Sequence, residues 1–133
     1  MNRRAFLMAA LLALMCLAPG RYSPARAASD LEVIYVGGWD CPPCAVWKKT
    51  RKAAWIASPE YRQVTWVEIE SPRLRDAYKD RYWPLELKPV LAKLPHKSGT
   101  PRFLIVSKGR LVFNAAGADQ WERTLRALRN VLG

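Results

Sequence analysis

An α/β domain with a mixed four-stranded sheet, ordered β-α-β-α-β-β-α and with helices on both faces, is predicted from three observations. Short apolar runs rich in strand formers alternate with helix-like segments, Lys108-Gly109 joins the last two runs as a hairpin turn, and the C-terminal segment carries an apolar stripe at helical spacing. The 133 residues, half of them hydrophobic and a quarter charged, suffice for one globular domain. The chain has no internal repeat, low-complexity stretch or long linker.

Leu31 to Val36 is a nearly continuous apolar run, suited to a central strand buried on both faces, and Gly37-Gly38 is expected to end it. Pro42 fits the first position of a helix, where a missing N–H costs nothing, and Ala45 to Ala57 continue with good helix formers. The apolar face is expected along Val46, Ala53 and Ala57, widened by Trp47, Ala54 and Trp55. Ser58-Pro59 stops this helix. Val64 to Ile69, interrupted by Thr65 and Glu68, reads as a half-exposed second strand, parallel to the first across a right-handed crossover.

Ser71-Pro72 has the form of a cap followed by proline at the first helical position, predicting a helix over Arg73 to Tyr82. Prolines 84, 89 and 95 forbid a long helix after Trp83, leaving room for a short one between Leu85 and Leu94. Phe103 to Val106 and Leu111 to Phe113 form the hairpin. Asp119 with Glu122 three residues on makes a capping-box pattern, followed by the stripe Trp121, Leu125, Leu128 and Leu132.

The first 27 residues read as a cleaved signal peptide: basic Asn2-Arg3-Arg4, an apolar Ala5 to Ala18, and small residues at Ala25-Arg26-Ala27. The apolar stretch is short for a membrane span, and Arg3-Arg4 resembles a twin-arginine signal. Residues 28–133 form the expected mature domain, exported to the periplasm or an equivalent compartment. Cleavage removes Cys16 and leaves only Cys41 and Cys44. The whole chain carries +11; without the signal, 18 basic residues face 11 acidic ones, a net +7. Export and the absence of any nucleic-acid-reading motif argue against a nucleic-acid partner, leaving a bias toward acidic partners or anionic membrane faces.

Cys41-Pro42-Pro43-Cys44 stands where the first strand gives way to the first helix. Two thiols on a helix's first turn can close a disulfide, and a helix N-terminus favours a thiolate on the outward-facing Cys41, with Cys44 placed to resolve a mixed disulfide. A structural bridge stabilises best by closing a long loop, and this pair closes almost none. A local staple or half of a zinc site are the other readings. Zinc needs two further ligands, and His96 is the only histidine, so neither a metal nor any other cofactor is expected.

With Cys-Pro-Pro-Cys after the first strand, and Thr100-Pro101 leading into the hairpin 57 residues beyond Cys44, residues 30–133 resemble the thioredoxin superfamily. The resemblance implies a thiol:disulfide oxidoreductase acting on protein thiols and disulfides, with Cys41 and Cys44 catalytic. It also implies that Pro101 is cis, stands beside the dithiol, shapes the substrate groove and keeps metal ions away. Thr100 would pair its backbone with an extended substrate, and Trp39 and Pro42 would furnish an apolar rim. Departures from the family are the Asp40 that separates Trp39 from Cys41, Tyr35 at the position of the family's buried acid, and a longer segment between Tyr82 and Gly99. Glu68, acting through water, is the substitute acid that the sequence offers.

Pro42 and Pro43 remove two backbone donors near Cys41, leaving the N–H of Cys44, and Asp40 adds negative charge; Lys48 and Lys49 oppose these effects from more than a turn away. The balance favours the disulfide over the dithiolate and hence a reductant, which in an exported protein is fed by a membrane electron donor; a monomer is expected. The alternative is a non-catalytic binding module whose dithiol is a structural bridge. Metal delivery has no methionine or histidine cluster to support it.

Overall fold

A computed structural model describes residues 30–133. The expected signal peptide, with Cys16 and the Arg3-Arg4 pair, lies outside the described residues. The sheet runs β2-β1-β3-β4, with β1 (Leu31–Gly38) parallel to β2 (Thr65–Ser71) and antiparallel to β3 (Arg102–Ser107), which pairs antiparallel with β4 (Arg110–Ala116). This is the expected mixed four-stranded sheet, its first two strands parallel neighbours. Lys108 and Gly109 both take positive φ, the backbone twist that a two-residue hairpin needs.

Gly37 and Gly38 extend β1 instead of ending it. A Cβ on Gly38 would lie 2.5 Å from Leu74 Cα, so glycine here admits another stretch of backbone, while Gly37 makes room for the Tyr35 ring.

One face of the sheet packs Val33, Tyr35, Phe103 and Ile105 against Trp47, Trp55, Trp121 and Leu128, together with both cysteines. Trp47 is central to this aromatic cluster, stacked on Tyr35 at 5.0 Å between ring centres and meeting Trp121 edge-on at 5.1 Å. The opposite face packs Ile34, Val36, Ile69, Leu104 and Val106 against Ala77, Trp83, Leu87, Val90, Leu91 and Leu94. Alternation along β1 and β3 thus feeds two cores.

The first helix is α1 (Pro42–Trp47), a π-helical Lys48–Lys52 and α2 (Ala53–Ile56) in continuous succession. Residues eight apart on an α-helix point about 80° from each other. The π turn absorbs one extra residue, so Trp47 and Trp55 both face the core. The expected face is therefore corrected: Val46, Ala53 and Ala57 are exposed and the two tryptophans are buried.

No helix spans Arg73 to Tyr82; only 3-10 turns at Leu74–Asp76 and Asp80–Tyr82 form there. Ser71 ends β2 fully buried and its hydroxyl donates to Arg73 O, while Asp40 accepts from Leu74 N. The backbone closes into i to i+3 bonds instead, Asp76 N donating to Arg73 O at 2.8 Å and Ala77 N to Leu74 O at 3.2 Å. Trp83 Nε1 also takes Ala77 O, and Lys79 is extended. The short helix expected after Leu85 is present as α3 (Lys88–Lys93) behind a 3-10 turn at Leu85–Leu87.

The C-terminal helix α4 (Trp121–Leu132) buries Trp121 and Leu128, with Leu125 and Leu132 partly covered, as the stripe predicts. Its capping box does not form. A 3-10 turn at Ala118–Gln120 precedes it, Asp119 accepts from Gln120 Nε2, and Glu122 pairs with Arg51 at 3.1 Å. No described helix is long and apolar enough to cross a membrane.

Candidate active site

Cys41 is the N-cap of α1 and Cys44 lies in its first turn, where Pro42 fits because that position needs no N–H. The two sulfurs form a disulfide, with Cα atoms 5.2 Å apart. Cys41 Sγ accepts from Cys44 N at 3.2 Å, the backbone donor that the two prolines leave in place. Since a disulfide sulfur carries no hydrogen, Thr100 Oγ1, also 3.2 Å away, is the donor in a second bond to Cys41 Sγ. The Thr100–Pro101 peptide is cis, and the Thr100 contact places this segment beside the dithiol although the two are far apart in sequence.

The outward-facing Cys41 of the sequence reading is corrected. The residue is only 2% exposed, because its sulfur is joined to Cys44 and covered by Thr100. Its neighbours Asp40, Pro42 and Pro43 are exposed, so the sulfur lies just beneath the surface. Trp39 is 74% exposed, which favours a rim over ordinary packing, and Pro101 is buried.

Asp40 is committed to the fold: its carboxylate accepts from Leu74 N at 2.6 Å, and Trp39 N donates to Ser71 O at 3.0 Å. These bonds hold the loop after β2 against the turn that presents the cysteines.

Tyr35 is fully buried in the same cluster as the cysteines. Burial, followed by the Glu70 and Glu68 charges, pushes its phenol far above the ordinary tyrosine range, so it is neutral. The acids beside it belong to β2. Glu70 pairs with Lys48, and Glu68 pairs with Lys52 at 2.5 Å while accepting from Trp66 Nε1 at 3.0 Å. Burial works to raise the Glu68 carboxyl, but the Lys52 and Trp66 hydrogen bonds and the lysine charges outweigh it and hold it below the usual range. Lys48 lies one turn beyond Cys44 and its ammonium sits 5.5 Å from the Tyr35 ring centre, so Glu70 is nearer to the dithiol's end of the helix than Glu68 is.

Sequence reasoning gave Thr100 a backbone role and missed its hydroxyl. Threonine's side-chain donor was a legible signal, since a hydroxyl beside a sulfur can donate to it. Among the described residues no cluster of His, Cys, Asp or Glu is arranged to hold a metal ion.

No family model matches the chain, and no curated protein does. Solved structures do. The reduced periplasmic thioredoxin SoxS of Paracoccus pantotrophus superimposes with a TM-score of 0.56 at 16% identity, covering 76% of this chain and 98% of that one. The germline-specific thioredoxin Deadhead of Drosophila melanogaster gives 0.51 at 17% identity, over 79% of this chain and 83% of its own. Malassezia sympodialis thioredoxin gives 0.51 at 14% identity, over 77% and 76%. At such identities the likeness speaks to architecture, and by architecture this chain has the fold of the thioredoxin superfamily.

Proposed function

We propose that this chain is an exported thiol:disulfide oxidoreductase that exchanges disulfides with other proteins through Cys41 and Cys44, working in the reducing direction. The observation that carries this reading is the Cys41–Cys44 disulfide at the first turn of α1, with Thr100 donating to its N-terminal sulfur. In the reduced protein Cys41 thiolate attacks one sulfur of a substrate disulfide and releases the other as a thiolate. Cys44, on losing its proton, attacks Cys41 Sγ and releases the second substrate thiolate. The pair is oxidised by two electrons, the substrate is reduced by two, and the released thiolates take up protons.

Because Cys41 is nearly covered, a partner sulfur gains access when the Thr100 side chain turns aside. The exposed Trp39 and Pro42 are assigned to contact the substrate, with Thr100 and Pro101 lining the other side. The reducing direction is supported by Pro42 and Pro43, which leave the Cys44 N–H as the backbone donor to Cys41 Sγ. The Thr100 hydroxyl acts against it by stabilising a thiolate.

Export is supported by the signal-like first 27 residues, and the similar SoxS is a periplasmic protein. A reductant in that compartment acts as a monomer recharged by a membrane electron donor. The test is a reduction potential in glutathione buffers together with turnover of insulin disulfides. A potential below about −200 mV with turnover that Cys41→Ser abolishes is expected. An inert wild type overturns the reading in favour of a binding module with a structural bridge.

A further inference from the structure

The segment 98–101 that brings Thr100 to Cys41 is held at three of its four carbonyls. Arg102, 6% exposed, donates from Nη2 to Ser98 O, from Nε to Tyr78 Oη at 2.7 Å and from Nη1 to Asn114 Oδ1 at 2.5 Å. Tyr78 Oη in turn donates to Gly99 O at 2.5 Å, and Gly117 N donates to Pro101 O at 2.8 Å. Among the described residues no carboxylate pairs with this guanidinium; its named acceptors are a phenol, an amide and a carbonyl. A buried cation without a counter-ion is expensive unless hydrogen bonds satisfy it, and here these come from Asn114, from the segment that carries Thr100 and from its Tyr78 support. Burial pushes the Tyr78 phenol up and the Arg102 hydrogen bond and charge offset this only in part, so the hydroxyl keeps the proton it donates to Gly99.

We propose that Arg102 and Tyr78 form a positioning clamp for the redox centre: by holding the Ser98 and Gly99 carbonyls they fix the Thr100 hydroxyl on Cys41 Sγ, and so set the thiolate fraction of Cys41 in the reduced protein. The inference rests on the proposed exchange reaction for its use. Thr100 hydrogen-bonds the sulfur through its side chain, and its hydroxyl stabilises a thiolate more than a thiol because the hydrogen bond is then charge-assisted. Other charged or titratable groups near Cys41 are Asp40 before it, Cys44 and Lys48 on the helix, Tyr35 on β1, and Glu68 and Glu70 on β2. The variants below leave all of these in place.

The experiment is the pH profile of iodoacetamide alkylation at Cys41 in the reduced protein, followed by mass spectrometry, for wild type, Thr100→Val, Tyr78→Phe and the double variant. Thr100→Val is expected to raise the Cys41 pKa by about one unit, a tenfold loss of thiolate below that pKa. Tyr78→Phe keeps the ring, removes the bond to Gly99 and one to Arg102, and is expected to shift the pKa upward by about half of that. The double variant should match Thr100→Val alone, because a clamp that works through one hydroxyl has nothing left to position. An unmoved pKa in Tyr78→Phe, or shifts that add in the double variant, overturns the proposal. Arg102→Lys serves as the second variant if Tyr78→Phe loses its cooperative thermal melt, with the same shift expected and the same null result decisive. Alkylation needs no substrate protein. Wild type that alkylates but reduces no insulin defeats the proposed function alone, whereas active wild type with an unmoved pKa in Tyr78→Phe defeats the clamp alone.

Discussion

Gly38→Ala tests how the cysteine-bearing turn is supported. An alanine Cβ at this position would stand 2.5 Å from Leu74 Cα and 2.6 Å from Leu74 N, both backbone atoms with no rotamer through which to retreat. Restoring ordinary contact of about 3.5 Å requires the Leu74 backbone to withdraw by about 1 Å. The Asp40 Oδ1 bond to Leu74 N, now 2.6 Å, then stretches beyond hydrogen-bonding range. Overpacking costs about 1–3 kcal/mol, and losing an exposed, charge-assisted bond adds about 1 kcal/mol. The expected loss is therefore about 3 kcal/mol, a large share of a small domain's stability. With a urea slope of about 1.5 kcal/mol per molar, the unfolding midpoint should fall by about 2 M. A midpoint within about 0.3 M of wild type would refute the argument that glycine is there to admit the Leu74 backbone.

Trp47→Ala empties the centre of the aromatic cluster that also holds the dithiol, and should cost about 3–5 kcal/mol in chemical denaturation. Acid should weaken the fold. The carboxyls of Glu68, held down by Lys52 and Trp66 against burial, of Glu60, held down first by Arg129, and of Asp76, held down first by Lys79, all sit below their ordinary values. A lowered folded pKa contributes stability that is present above the unfolded value and is lost as pH falls through the folded one. Melting temperature should therefore decline from about pH 4.5 downward, and Glu68→Gln should flatten that decline; an equally steep decline in the variant would contradict the assignment. Asp40→Ala should loosen the loop after β2, detected as faster amide exchange at Leu74, while Asp40→Asn, which keeps an oxygen acceptor, should protect that amide nearly as wild type does.

The two anchors of the site were legible because each is local. Cys-Pro-Pro-Cys marks a strand-to-helix junction through proline at the first helical position, and Thr100-Pro101 marks the entry to a hairpin whose turn Lys108-Gly109 announces. The succession of strands and the parallel pairing of β1 with β2 followed from the apolar runs and the crossover. What escaped depended on distant partners. Nothing local distinguishes Arg73–Tyr82 from a helix; there Trp83 Nε1 takes Ala77 O and the chain forms 3-10 turns on either side of an extended Lys79. The buried face of the first helix was misassigned because a π turn changes the period between Trp47 and Trp55. The cover on Cys41 and the proposed clamp behind it join residues 41, 78, 98, 99, 100 and 102, a set that only the folded chain assembles.

Trapping tests the central claim most directly. The reduced Cys44→Ser variant, mixed with a disulfide-bonded protein such as insulin and analysed by non-reducing mass spectrometry, should accumulate a mixed disulfide at Cys41 that dithiothreitol dissolves. No adduct at Cys41, under conditions in which the variant is folded and its thiol is free, would contradict the account.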